Sequence, residues 1–338
     1  MPRKVNEENE RIKRQYLTYQ REARGRDQKT IDMIASALFD FEKSTGFKSF
    51  KAFRIEQAIA YKQKLSLATH QRTGKPLSKA TISSRLRMIK PFIVWLADKP
   101  GYKSRISYGD AEYFNLNTKD MRVAHARRDI PYPTLDQCRH AFLSMPDKTI
   151  FDKRDKVIFA ILMITGIRDG ALASLTLKRI DLVEGCVHQD ARDVKTKASK
   201  TFTSWFLPVW DEYRACVEDW VRFLREEMLF GYDDALFPKP QRIVGKNGFG
   251  VSGLSKEPYA SATKIREIIK EAFTRVGLHP FTPHSFRKTL SLWADKYYPL
   301  HEEFKAFSQN MGHENVATTV NSYIPVSRER QAELIRGK

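Results

Sequence analysis

Apolar residues recur at helical spacing over 7–24, 28–44, 54–68 and 78–97, with polar or glycine-containing breaks at Ser44-Thr45-Gly46 and Arg72-Thr73-Gly74. This pattern predicts a small all-α domain over 1–116. The fourth segment says most about function. Ile82, Leu86, Ile89, Ile93 and Leu96 form one apolar stripe, while Lys79, Ser83, Arg87 and Lys90 fall on an adjacent face. Ser78 is placed to cap its start and Pro91 to kink it. A helix that buries one stripe and lines another with cations and a hydroxyl suits a phosphate track, and it equally suits a solvated surface.

Residues 117–134 read as a basic linker. Lys119, Arg122, His125, Arg127 and Arg128 crowd charge into it, and Pro131 and Pro133 disfavour continuous helix. Two bodies joined by such a strap would close around a rod, which makes Arg127 and Arg128 candidate phosphate contacts. Beyond it, 135–338 predicts a second domain, opening with helices over 135–148 and 152–165. Val157 to Ile164 is nearly all apolar and requires burial on most sides. Over 180–209 the pattern changes: Val187, Val194, Phe202, Trp205, Phe206 and Leu207 between polar turns predict a short β-ribbon with Lys195, Lys197 and Lys200 near its tip. Helical spacing returns at 211–229, 262–276, 285–297 and 302–311, after a glycine-rich loop over 245–254 expected to be mobile. The fold class is mainly α (α+β), in two domains.

Charge narrows the function. The 338 residues carry 59 basic against 40 acidic side chains, a formal net charge of +19, so the surface attracts polyanions, nucleic acid first among them. No apolar run is long enough to span a bilayer, and Met1 to Arg14 holds no signal-peptide core, so the chain reads as intracellular, without a membrane partner. Cys138, Cys186 and Cys216 are far apart, odd in number and without histidines at zinc-ligand spacing; they read as small buried or half-buried hydrophobes.

Four segments of the second domain carry candidate chemistry: Thr165-Gly166-Ile167-Arg168, the lysine-tipped ribbon, His284-Ser285-Phe286-Arg287, and Gly312-His313 followed ten residues later by Tyr323. Transferring a phosphodiester without metal requires cations for the non-bridging oxygens, an acid for the leaving oxygen and a nucleophile. Two arginines from separate elements match phosphate oxygens with their planar forks. His284 and Arg287, three residues apart at a helix start after Pro283, project toward one point. A phenol has a reference pKa near 10, so attack at neutral pH needs neighbouring cations or a base. Taken singly, each of these residues is ordinarily structural; their order and spacing give the set its weight.

That ordered set resembles the tyrosine recombinase (phage integrase) family, in the matches T-G-I-R at 165–168, K-T at 200–201, H-S-F-R at 284–287, G-H at 312–313, and Tyr323 within E-N-V-A-T-T-V-N-S-Y. The N-terminal helices are also similar, less specifically, to the family's core-binding (SAM-like) domain. The resemblance implies a site-specific DNA recombinase or integrase. Tyr323 would attack the scissile phosphate to give a 3′-phosphotyrosyl link and a free 5′-hydroxyl. Arg168, Arg287 and His313 would stabilise the transition state, and His284 would assist proton transfer from the tyrosine or hold the phosphate. A ribbon lysine would protonate the leaving oxygen, with Lys200 favoured for its position before Pro208 and Lys197 as runner-up. It further implies a homotetramer on two synapsed duplexes, exchange of a C-terminal segment within 326–338, accessory DNA-bending proteins, and a cytoplasmic, nucleoid-associated protein serving a mobile element or replicon.

The sequence departs from the family at Ala171, where an acidic residue often stands three positions after the first arginine; Asp169 is the candidate substitute. The stretch between Arg287 and Gly312 is slightly long, holding Trp293, Tyr297, Tyr298 and Pro299. No Walker-type glycine loop and no acidic pair suited to two metals stands in the sequence, so no cofactor, metal or ATP is expected. Three other readings remain open: a catalytically impaired DNA-binding protein of the same fold, a type IB topoisomerase-like or resolvase enzyme, and an RNA-binding helical protein.

Overall fold

The computed structural model describes residues 5–71, 73–126, 130–245, 248–324 and 328–337. The chain divides into two compact units, Met1–Asp129 and Ile130–Lys338. The first is helical: α1 (Glu7–Thr18), α2 (Gln28–Ser44), α3 (Ile55–Leu67), α4 (Lys79–Leu96) and α5 (Thr118–His125). Asn6, Asp27, Ser78 and Asn117 each accept a backbone N–H at a helix start, satisfying donors that would otherwise lack a partner. The predicted apolar stripe of α4 is buried throughout, against Phe41, Phe50 and Phe114.

α4 runs from Lys79 to Leu96 with Pro91 inside it, and one expectation for this unit changes. The segment expected as a linker contains a folded helix, α5, which lies on α4: Asp120 pairs with Lys79 at 2.9 Å and the Ser83 hydroxyl meets the Met121 sulfur at 3.8 Å. Asn117 caps α5, and the prolines that discouraged helix lie beyond its end. Arg127 and Arg128 lie outside the described residues.

In the second unit, α6 (Leu135–Leu143) precedes α7 (Ile150–Thr165), whose run from Val157 to Thr165 is buried without interruption. The Phe159 ring sits amid Phe142, Tyr213, Phe273 and Phe286, with centroids 4.8–6.4 Å away. These contacts tie α7 to α9 (Asp211–Arg222), α10 (Thr263–Arg275) and α11 (Pro283–Tyr297), and aromatic pairs of this kind contribute about 1 kcal/mol each beyond area burial. The short α8 (Asp169–Leu172) follows α7. The predicted ribbon is an antiparallel sheet in the order β1 (Ile180–Asp181), β2 (Cys186–Gln189), β3 (Phe202–Trp205), with His188 opposite Thr203.

Of the loop expected over 245–254, residue 245 and residues 248–254 are instead strand, in the antiparallel pair β4 (Pro238–Gly245) and β5 (Gly248–Pro258). Its glycines fall in a two-stranded ribbon with little side-chain packing to enforce, so the sequence signal resembled that of a loop. After α11 come α12 (His301–Asn310), α13 (Val316–Tyr323) and α14 (Arg328–Arg336). The last turns of α11, with Tyr298 just beyond them, hold a stack in which Trp293 meets Tyr297 and Tyr298 at 4.7 and 5.7 Å, and Tyr298 leans on Phe307 of α12 at 6.3 Å. As expected, Cys138 and Cys186 are buried and Cys216 is half-buried, all as free thiols. No helix among the described residues is long and apolar enough to cross a membrane.

Candidate active site

The site is built where α7 ends. Thr165 turns its hydroxyl back to the Ile161 carbonyl and accepts the Ile167 N–H, and Gly166 then takes a left-handed φ of 59°. A β-carbon at Gly166 would push aside the Sδ–Cε end of the Met311 side chain, so glycine suits this turn in both backbone and space. The turn directs the Gly166 carbonyl toward α11 and delivers Arg168, half-buried, to the same place.

On α11, Pro283 occupies the first turn, where its missing N–H costs nothing. Phe286 is held in the core, which fixes the rotation of the helix and sends Arg287 inward to 2% exposure. The Arg287 guanidinium donates to the carbonyls of Gly166 and, at 2.7 Å, Met311, to Nε2 of His313 at 2.9 Å and to the Tyr323 hydroxyl at 3.3 Å. Arg287 thus joins its own segment to two of the other three that the sequence singled out, the turn before Arg168 and the stretch holding His313 and Tyr323. Burial lowers its pKa to about 10, and burial likewise lowers that of Arg168, where the nearby Tyr323 phenol acts in the opposite direction.

The His313 tautomer follows from its partners. A guanidinium only donates, so Nε2 accepts and the proton resides on Nδ1, which donates to Thr319 Oγ1 at 2.7 Å; Thr319 in turn meets Ser308 at 2.7 Å. Burial first, then the charges of Arg287 and Arg168, push His313 down to about 3, so the ring is neutral. The Tyr323 ring stacks on His313 at 5.6 Å, 16° from parallel, and lies 5.7 Å from the His284 ring. His284 stays at the surface, and desolvation followed by the same two arginines lowers its pKa also. In this state His313 braces Arg287 and Tyr323 and presents no N–H of its own to an incoming phosphate. Thr319 and Ser308 were missed from sequence; the Thr318-Thr319 pair between His313 and Tyr323 was the available signal.

The acidic support expected of Asp169 goes elsewhere. Its carboxylate caps Gly170 and pairs with Arg266 at 2.5 Å, while Ala171 is buried in the core. Among the described residues no carboxylate pairs with Arg168 or Arg287. Of the three ribbon lysines, Lys195 points to the Ala260 carbonyl, while Lys197, which is exposed, and Lys200 both add charge at His313, Lys197 also at His284, and Lys200 pairs with Glu314, next to His313, at 2.7 Å.

In the other unit, the candidate phosphate-track residues do not all face outward. Lys79 is paired to Asp120, Ser83 contacts Met121, and Lys90 is paired to Glu112 at 2.8 Å. Arg87 is exposed and has no partner among the described residues. No group of three or more His, Cys, Asp or Glu side chains among the described residues is placed to share a metal ion.

The family model described as the phage integrase family matches residues 135–330. The chain is 21% identical over 311 residues to a tyrosine recombinase XerC of Roseiflexus sp. (strain RS-1), covering 90% of this chain and 87% of that one. It is 23% identical over 319 residues to a tyrosine recombinase XerC of Lactobacillus delbrueckii subsp. bulgaricus, covering 91% and 92%. Its fold is similar to that of a lambda integrase dimer bound to a COC′ core site (TM-score 0.65, 12% identity, 94% and 96% covered). It is also similar to that of the Tn1549 transposon integrase in complex with transposon right end DNA (TM-score 0.62, 17% identity, 96% and 98% covered). With the family's domain spanning more than half of its length and the ordered residues gathered around Arg287, the chain belongs to the phage integrase family of tyrosine recombinases.

Proposed function

We propose that this protein recombines specific DNA sites by attack of the Tyr323 phenol oxygen on a backbone phosphorus. Family membership supplies the activity class, the breaking and rejoining of DNA strands. The O–P bond to Tyr323 forms as the P–O5′ bond breaks. The phenol proton passes to neutral His284 or to solvent, and Lys200 donates a proton to the departing 5′-oxygen. Attack by a 5′-hydroxyl on the phosphotyrosyl link reverses these changes, so the bond energy is conserved and the reading needs neither metal nor ATP.

The observation that carries this proposal is a cationic site without a counterion: Arg287 donates to the Tyr323 hydroxyl, Arg168 is half-buried near enough to feel that phenol, and no carboxylate is paired to either among the described residues. A buried charge without a partner is costly, and a phosphate diester bound at the arginines would bring the missing negative charge beside the Tyr323 phenol. His313, which braces Arg287 in the free protein, is the third group for the transition state.

The partner is double-stranded DNA, held chiefly by the distributed basic surface, with Arg87 available at once and Lys79 and Lys90 available on exchange of their ion pairs for phosphates. A homotetramer on two synapsed sites, joined through α14 with its exposed Leu334 and Ile335, and a cytoplasmic, nucleoid-associated setting belong to the same reading. Arg168→Ala or Arg287→Ala should abolish strand cleavage while a gel-shift assay finds duplex binding largely intact. Equal loss of binding and cleavage would contradict the assignment.

A further inference from the structure

The ribbon carrying Lys200 and the turn carrying His313 are joined along a seam. β3 is an edge strand, paired on one side with β2. At its other side the Trp205 N–H donates to the Asn310 side-chain oxygen at 2.5 Å, and the Asn310 amide donates to the Trp205 carbonyl at 3.0 Å. A single side chain therefore does what one residue of a further strand would do. The Ser204 hydroxyl donates to the Asn310 backbone carbonyl at 2.8 Å, and itself accepts from Gln189 on β2 at 2.8 Å. Two residues along, the Phe202 ring lies against Gly312, whose φ of 71° and lack of a β-carbon allow the approach. Two further on, Lys200 pairs with Glu314 at 2.7 Å. Partners descend from 205 to 200 on one segment as they ascend from 310 to 314 on the other, which is antiparallel docking.

The connection into Lys200 adds a second observation. Ala198 and Ser199 both hold left-handed φ, 58° and 50°, without being glycine. Such a conformation persists where the surroundings over-determine it. The Thr201 hydroxyl, which accepts the Ala191 N–H at 3.0 Å, and the Lys200–Glu314 pair fix the chain just after the strained turn. An exposed ion pair contributes little stability, so its use here is geometric.

We propose that Asn310 and Glu314 are positioning residues which, from the two ends of this seam, hold Lys200 beside His313 for proton delivery to the leaving oxygen. This rests on the assignment of Lys200 as the acid in the function proposed above. Neither residue touches the reacting atoms. Their effect passes through the placement of Lys200, which is paired to Glu314 on the seam, whereas Lys197 has no such pair among the described residues.

The test compares two nicked duplexes carrying the site obtained by selection from random duplexes. One has the ordinary 5′-oxygen at the scissile bond and the other has sulfur in its place. A thiolate leaves without being protonated, so a defect confined to proton delivery disappears on the sulfur substrate. On the oxygen substrate, Glu314→Gln and Asn310→Leu should slow single-turnover adduct formation by roughly tenfold, with Glu314→Asp intermediate and duplex binding unchanged. Lys200→Ala should slow it by on the order of a hundredfold or more. All should regain the parent rate on sulfur. Because Glu314 is exposed, its variants report on placement without disturbing the core. Recovery of Lys200→Ala alone, with the seam variants equally slow on both substrates or unaffected on oxygen, overturns the positioning role. Recovery of Lys197→Ala in place of Lys200→Ala overturns the lysine assignment beneath it.

Discussion

Arg287 and Tyr323 meet within one chain: the guanidinium Nε donates to the phenol oxygen at 3.3 Å across 36 positions of sequence. Both side chains are buried, and the same guanidinium grips the Gly166 and Met311 carbonyls, so the tyrosine is docked on the arginine of its own subunit. The arginine holds the proposed nucleophile before DNA arrives, and in that reading a phosphate oxygen would take over the donor as the phenol oxygen turns to phosphorus.

Assembly in cis has a direct consequence for mixed subunits. Combining Arg287→Ala protein with Tyr323→Phe protein should yield no covalent adduct on a nicked duplex, because each chain lacks half of its own site. An adduct recovered from the mixture, with each variant inert alone, would mean that the tyrosine is delivered to a neighbouring subunit.

Gly312 is constrained twice, by its left-handed φ of 71° and by the Phe202 ring. Gly277 has the same φ of 71°, with nothing within 4 Å of the point where a β-carbon would stand. Gly277→Ala should therefore cost about 1 kcal/mol, the backbone penalty alone, and Gly312→Ala about 3 kcal/mol once overpacking is added. Thermal unfolding of the two variants checks this difference. Equal losses would mean that the Phe202 contact does not constrain the turn.

The buried neutral His313 makes stability depend on pH. Its folded pKa of about 3 lies below the ordinary value of 6.5, so between these values the unfolded chain binds a proton that the folded chain does not. The stabilisation from the neutral ring is present above about pH 6.5 and is lost progressively as pH falls toward 3. His313→Gln should make the fall in Tm between roughly pH 6.5 and 5 shallower. An unchanged slope would show that the ring titrates normally.

Much of this arrangement was legible in the sequence because the candidate side chains stand at ends of strongly patterned elements. The apolar run before Thr165 set the end of α7, and with it Arg168; Pro283 set the start of α11, and with it Arg287. What the sequence hid is a matter of long-range partners. Lys79 and Lys90 looked like a free cationic face because their partners Asp120 and Glu112 lie 41 and 22 positions away in segments without strong periodicity. Asp169 looked like support for Arg168 because Arg266, which takes its carboxylate, is 97 positions distant. The glycines of β4–β5 signalled a loop because a two-stranded ribbon imposes little alternation. The role of Asn310 had no local signature, since its partners are the backbone groups of Trp205.

The central claim is that Tyr323 takes the phosphate. A nicked duplex that releases its short 5′ strand after cleavage traps the intermediate, and proteolysis with mass spectrometry of the trapped protein locates the attached nucleotide. The account predicts the nucleotide mass on the peptide containing Tyr323 and no adduct from Tyr323→Phe. A nucleotide found on any other residue, or an adduct that survives in Tyr323→Phe, would contradict it.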